Sequence, residues 1–214
     1  MNYTQIKLLS FAVIVFMATS CTSEDISPKR EIITGDPSSV DHVKDYSDWN
    51  IYGYSETVNS EFNEKRHGRY IDIDGDGEND LYFSHVDFKR IDGYQLRTSD
   101  IYSYNLSFRI MIAPGEEPQP NLNAPIRWKS EGELIELSSG EWQQNSTHYR
   151  FFKRELFPGG AQTTETSFPI GEQAYLIFTL LDANNRQMMG WMHIEMGGNN
   201  IIPNVLDIGY KYLN

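Results

Sequence analysis

The feature that most constrains the fold is a two-residue alternation of apolar and polar side chains. In the segment Tyr104–Ile112, every second residue from Leu106 onward is apolar, so these side chains share one face of an extended chain. Ser107 and Arg109 fall on the opposite face. This alternation is typical of an antiparallel strand that buries one face and exposes the other.

Other segments have the composition of strands, because they are rich in Ile, Val, Tyr, Phe and Trp and are separated by Gly, Pro, Asn and Asp. The predicted strands are Trp49–Val58, Arg69–Ile73, Asp80–Phe88, Tyr104–Ile112, Glu133–Leu137, His148–Lys153, Ala174–Leu181, Met188–Met196 and Val205–Leu213. No segment carries a long, well-capped helical period. The sequence therefore predicts an all-β protein, an antiparallel β-sandwich that is jelly-roll-like.

Residues 1–20 have the properties of a secretory signal peptide. Lys7 supplies a positive charge, and the uncharged segment 8–18 is shorter than the roughly 20 apolar residues that span a bilayer. Small residues then lead to Cys21, the only cysteine in the chain. Because a single exported cysteine cannot close an internal disulfide, it needs another use.

The segment Ala18–Cys21 resembles a bacterial lipobox, although Ala18 stands where leucine is commonest. The resemblance implies a lipid attached to Cys21 after cleavage, and two acyl chains suffice for stable anchoring. Thr22, in place of an aspartate, implies sorting to the outer membrane, and Glu24-Asp25 resembles the acidic export signals of Bacteroidetes surface lipoproteins. The alternatives are an ordinary secretory signal beside an incidental cysteine, and an acidic patch that only solvates a tether.

We divide the rest of the chain into a flexible tether, residues 21–45, and a single domain, residues 46–214. The tether is polar and contains Pro28 and Pro37, and roughly 170 further residues are enough for one buried core. Loss of Lys7 makes the formal charge of −12 one unit more negative. That charge disfavours nucleic acid and anionic lipid as direct partners, and it suits cations, neutral glycans or basic proteins.

The strongest chemical signal is the segment 72–80, DIDGDGEND, in which carboxylates alternate along the chain up to a glycine at Gly77. Hard oxygen ligands arranged in this way suit Ca²⁺, which accepts about six to eight of them in flexible geometry. The predicted ligands are Asp72, Asp74, Asp76, Glu78 through its backbone carbonyl, and Asp80. The alternative is an acidic hairpin turn that holds no ion.

The motif departs from an EF-hand, because Phe83 stands where a closing glutamate belongs and both flanks predict strands. It resembles instead the calcium loops of dockerins, thrombospondin type 3 repeats and FG-GAP repeats. A similar loop occurs in exported bacterial β-proteins of unknown function, which end in aromatic strands like Gly190–Ile194 and Ile208–Tyr212. Without the glutamate, affinity is expected to be weak unless another acid such as Asp87 completes the shell.

Two functions remain open. The first is a non-enzymatic surface module that binds a glycan or a protein, with Trp128 and Trp142 as candidate stacking residues, or that serves a structural role at the envelope. The alternative for both tryptophans is packing against the core. The second function is a surface polysaccharide hydrolase with paired carboxylates, although the sequence carries no catalytic signature. We read His193 and Glu195, which share a strand face, as a surface pair.

Overall fold

The computed structural model describes residues 30–46, 53–113, 126–143, 148–169, 171–196 and 203–213. These ranges form fourteen strands and two short 3-10 turns, Pro37–Ser39 and Leu137–Ser139. The strands are β1 Glu31–Ile33, β2 His42–Asp45, β3 Gly53–Val58, β4 Phe62–Ile71, β5 Leu81–Arg90, β6 Gln95–Ser103, β7 Arg109–Ile112, β8 Leu134–Glu136, β9 Glu141–Trp142, β10 His148–Leu156, β11 Gln162–Thr166, β12 Gln173–Leu181, β13 Gln187–Met196 and β14 Pro203–Tyr212. Across the same ranges, no helix is long and apolar enough to cross a bilayer.

The predicted all-β antiparallel sandwich is confirmed. One sheet, here called the front sheet, has the order β11-β10-β6-β5-β4-β3, and the other, the back sheet, has the order β2-β14-β13-β12-β7-β9. A two-stranded ribbon, β1-β8, forms a separate small sheet. Six of the ten strand pairs in these two sheets join consecutive strands, so meanders replace much of the double Greek key that defines a jelly roll.

The main core lies between the two sheets. Front-sheet residues such as Leu81 and Phe83 and back-sheet residues such as Phe178 and Met192 belong to one cluster of side chains that are almost fully buried. The alternation seen in the sequence explains this arrangement, because every second side chain of a front strand reaches the interior. Burial of these large apolar groups is the main source of stability.

The back sheet is buried on both faces. Its outer face carries a second cluster, which contains Tyr175, Ile177 and Trp191 and is covered by Ile32 of β1 and Ile135 of β8. This is why β12 is apolar almost without interruption, with seven consecutive buried residues. Trp191 is 1% exposed within this second cluster.

The prediction of a flexible tether over residues 21–45 is wrong for its described part. β1 pairs with β8 and places Ile32, which is fully buried, against the back sheet. β2 pairs with β14 through residues 42–45 and forms an edge of the back sheet. Polar side chains misled the prediction, because an edge strand such as β2 can be polar and still contribute backbone hydrogen bonds. The domain therefore includes residues from at least position 31.

The strand predicted at Tyr104–Ile112 is shorter than expected. Its backbone turns at Asn105, whose side-chain oxygen accepts a hydrogen bond from the Ser107 amide, and β7 begins only at Arg109. Leu106 is 83% exposed on this turn. The rest of the alternation holds, since the apolar side chains at positions 108, 110 and 112 join the main core.

Candidate metal centre

The acidic segment 72–80 is the loop of the β4–β5 hairpin. The last strand pair is Ile71 with Leu81, and the Asp80 amide donates to the Ile71 carbonyl at 2.9 Å. Gly75 and Gly77 have φ angles of 81° and 94°, which only glycine adopts freely. The sequence thus folds as predicted here, with a tight loop between two strands.

Carboxylates inside the loop bind its own backbone. Asp72 accepts hydrogen bonds from the amides of Gly75 and Gly77, the second at 3.0 Å. Asp74 accepts from the Asp76 amide at 3.1 Å, and Asp76 accepts from the Glu78 amide at 2.8 Å. These contacts fix the loop in a form that turns several oxygens toward one point.

Three of the five predicted ligands converge. One oxygen from each of Asp72, Asp74 and Asp80 lies within 4.8 Å of the others. Calcium–oxygen distances are about 2.3–2.6 Å, so oxygens up to about 5 Å apart can share one ion. Asp76 and Glu78 are outside this cluster, but they line an open pocket of about 480 Å³ together with Asp74 and Asp80. The donor set consists of oxygens only, which fits Ca²⁺.

The electrostatics of the cluster favour a cation. Burial is the largest cause that raises the pKa of Asp74, and the charges of Asp80, Asp76 and Asp72 raise it further. Burial likewise raises the pKa of Asp80, which is 7% exposed, against the opposing effect of hydrogen bonds from Asn105 and the Ile73 amide. A bound cation would offset both the burial and the repulsion.

The acidic loop belongs to the front sheet, and hydrogen bonds also connect it to residues of the back sheet and its flanks. The Asp72 carbonyl accepts hydrogen bonds from Lys44 Nζ at 2.9 Å and from the Tyr46 hydroxyl at 3.1 Å. Asn105 donates through Nδ2 both to Asp80 Oδ1, at 3.1 Å, and to the carbonyl of Leu181 at the end of β12. The acidic loop therefore lies where the two sheets meet at one end of the sandwich.

Asp87 does not complete the shell. It lies well along β5, where it pairs with Arg97 at 3.3 Å, far from the loop at the start of that strand. Phe83 cannot contribute either, because its side chain is 1% exposed in the core. An acid from outside the loop, Asp182, also lines the loop pocket, and it is ion-paired with Arg186 at 2.7 Å. Asp182 and Asn105 come from distant turns, so only the folded structure reveals them.

The two candidate stacking tryptophans pack inward. Trp128 contacts Phe151 and Phe168 edge-on, and its indole nitrogen donates to Ser167 at 3.3 Å. Trp142 packs on the second cluster, and its nitrogen donates to the Leu137 carbonyl at 3.2 Å. Both rings are partly buried, so neither forms the exposed platform that sugar stacking requires, and the structure favours the packing alternative.

His193 is held by neighbours on the outer face of the back sheet. Its ring stacks on Tyr175 with 4.4 Å between centroids, and its nitrogens contact Asp207 at 3.2 Å and Gln173 at 3.1 Å. Glu195, two residues along β13, is exposed. These contacts give the histidine a structural environment in which its acidic partner is Asp207.

The fold and the site together define a class: a two-sheet antiparallel β-sandwich with an acidic, cation-fitting hairpin loop at one end. No protein-family model matches the chain, and comparison with curated protein sequences and with solved structures found no match.

Proposed function

We propose that this protein is a calcium-stabilised β-sandwich module of the bacterial cell envelope, anchored by lipid on Cys21, with a binding or structural role. The observation that carries the proposal is the convergence of Asp72, Asp74 and Asp80 within 4.8 Å. Cys21 lies outside the described residues, so the anchor and the outer-membrane location rest on the sequence.

A structural task for the ion follows from the bonds around the loop. The Asp72 carbonyl reaches β2 through Lys44, and Asp80 reaches β12 through Asn105. An ion that orders these acids would fix both contacts together, and so would hold the two sheets at this end. The Lys44 ammonium, 3.9 Å from the Asp72 carboxylate, offsets only part of the loop's negative charge.

The hydrolase alternative has less support. Its chemistry needs one carboxylic acid with a raised pKa and a second carboxylate on the other side of the substrate. In the described part of the chain, the raised carboxyl pKa values belong to Asp74 and Asp80. Both oxygens of Asp80 already accept hydrogen bonds, from Asn105 and from the Ile73 amide, and the residue is almost buried. This arrangement suits a ligand of an ion better than a general acid.

Isothermal titration calorimetry with Ca²⁺ tests the ion assignment. We expect one site on the full-length protein in detergent, and a loss of affinity of about tenfold or more, roughly 1.4 kcal/mol, in Asp80→Asn. That change keeps the shape of the side chain and removes its charge. Asp92→Asn is the matched control, because Asp92 lies in the hairpin at the other end of β5. Equal affinities for the two variants, or no calcium binding at all, would refute the assignment.

The anchor has its own test. Cys21→Ser removes the only thiol, so the variant is expected to lose labelled palmitate and to leave the membrane fraction or remain unprocessed. Fractionation and palmitate labelling in a bacterial host measure both effects, with Ser20→Ala as the control beside the cysteine. Labelling of Cys21→Ser at the wild-type level contradicts lipid attachment at this residue.

A further inference from the structure

We propose that the outer face of the front sheet binds a neutral oligosaccharide across a row of aromatic rings. The row, here called the aromatic ladder, consists of Tyr70, Tyr82, Tyr102 and His148, with Tyr104 beside Tyr70. The proposal deepens the binding role proposed above and rests on it, since it names the ligand class and a surface.

Strand register builds the ladder. Tyr70 pairs with Tyr82, Tyr82 with Tyr102, and Tyr102 with His148, so four adjacent strands each place one ring in a single row. Ring centroids along the row are 4.6, 6.1 and 4.5 Å apart, and Tyr102 and His148 are parallel within 1°. Successive rings are thus one strand spacing apart, a step comparable to the length of one sugar ring in an extended chain.

The ladder faces away from the core. Its sequence neighbours Ile71, Leu81 and Ile101 are fully buried between the sheets, and alternate residues of a strand point to opposite faces. Tyr70 is 51% exposed and Tyr104 is 56% exposed. Tyr82, Tyr102 and His148 are partly buried. The open ring surface therefore lies at the Tyr70 and Tyr104 end of the row, in contrast to the tryptophans at positions 128 and 142.

A groove that is lined in part by two glycines runs beside the ladder. Gly53 and Gly68 are paired across β3 and β4, and the Tyr82 ring lies over Gly68 in the space that a β-carbon would need. The groove has a volume of about 580 Å³, and Ser55, Arg66 and Tyr70 also line it. That size is in the range of small-ligand sites. Gly68 leaves room for the Tyr82 ring, which forms part of the groove wall.

The basic side chains near the ladder are ion-paired. Arg66 pairs with Glu64 at 3.0 Å, and Arg150 pairs with the buried Asp100 at 2.8 Å. Lys153 pairs with Glu155 at 2.8 Å. Although the chain carries a formal charge of −12, each of these three pairs is neutral, which suits an uncharged ligand better than a polyanion or a strongly basic protein.

The chemical groups of a neutral sugar match the aromatic and polar groups of this surface. A pyranose ring presents C–H groups on its face, which would pack on the exposed rings of Tyr70 and Tyr104, and hydroxyls at its edge, which hydrogen-bond to polar groups. Tyr102 and His148 stack on each other, so they would contact the sugar through ring edges and polar atoms. Tyrosine offers both an apolar ring and a hydroxyl. Arg66, Ser55 and Asn79 add donors and acceptors along the groove.

The acidic loop positions part of the ladder. Tyr70 and Tyr82 lie two residues outside its ends, and the Tyr104 amide donates to the Asp80 carbonyl at 2.8 Å. An ion that orders the loop would therefore also order three of the rings. Glycan affinity is expected to fall when calcium is removed.

The test is binding of the full-length protein, in detergent, to an array of neutral and acidic oligosaccharides and to insoluble neutral polysaccharides. We expect neutral glycans to bind, and the exposed-ring variant Tyr70→Ala/Tyr104→Ala to lose about tenfold or more in affinity. Ser55→Trp should block the groove without deleting any ring, which keeps the test valid if the double variant folds poorly. Phe157→Ala is the matched control, an exposed aromatic at the β10–β11 turn.

The outcomes separate the two proposals. Wild-type protein that melts higher with calcium but binds no neutral glycan overturns the ladder assignment and leaves the ion in place. Glycan binding with no calcium effect on melting overturns the ion and supports the ladder. Binding that survives both Tyr70→Ala/Tyr104→Ala and Ser55→Trp, or that is confined to acidic glycans, also overturns the assignment.

Discussion

Millimolar Ca²⁺ is expected to raise the free energy of unfolding of the chelated protein by about 2.7 kcal/mol, once the ion reaches a hundredfold excess over its Kd. The reason is that Asp72, Asp74 and Asp80 converge only in the folded chain. Thermal melting with chelator, and then with calcium, measures the change. Magnesium should replace calcium poorly, because it demands a small octahedral shell and gives up water reluctantly.

The variant Asp74→Ala sharpens this test. It should abolish most of the calcium dependence, while its stability in chelator should be no lower than that of chelated wild type. The second expectation follows from the pKa of Asp74, which burial and neighbouring acids raise, so its charge is unfavourable without a cation. Asp92→Ala, in the opposite hairpin, should keep the full calcium effect. Equal melting of wild type with and without calcium means that the loop is an acidic turn.

Ile32→Ala is expected to lower the free energy of unfolding by about 2–5 kcal/mol, the usual cost of emptying a fully buried isoleucine site. Ile32 is 0% exposed, pairs with Ile135 and covers the outer face of the back sheet. Urea unfolding at fixed calcium concentration measures the change. A residue in a flexible tether would give almost none.

Ile91→Ala is the matched control for Ile32→Ala. Ile91 is 85% exposed in the β5–β6 turn, so its truncation should change stability by no more than about 0.5 kcal/mol. If Ile32→Ala behaves like this control, then the ribbon β1-β8 is not docked on the back sheet and the domain begins later in the chain.

Local pattern was enough to predict most of the strands that contribute to the core. β12 and β13 are apolar over most of their length, so their strands could be predicted without a structure. The Asp72–Asp80 segment contains turn glycines between two segments that are rich in strand-forming residues, so the hairpin loop could be predicted as well. β6 was missed because its sequence is polar. Its Asp100 is 1% exposed only because His148 and Arg150 bond to it, from positions 48 and 50 residues away.

One candidate site could likewise be predicted from local sequence, and the other could not. The acidic loop is local in sequence, so its ligands could be proposed, although the contribution of Asn105 depends on a turn 25 residues further along. The aromatic ladder depends wholly on register, because Tyr70, Tyr82 and Tyr102 become neighbours only through pairing of β4, β5 and β6. The tryptophans at positions 128 and 142 were nominated for size and loop position, and neither property reports which way a ring packs.

The docked β1 strand limits how far the domain can stand from a membrane. A lipid on Cys21 would be separated from Glu31 by ten residue steps, which extend to about 35 Å at most. A tether that ran to residue 45 would have allowed more than twice that reach. With the shorter linker, the sandwich would remain within roughly its own length of the lipid surface. The front sheet would then reach polymers that lie along the envelope, but not those held far above it.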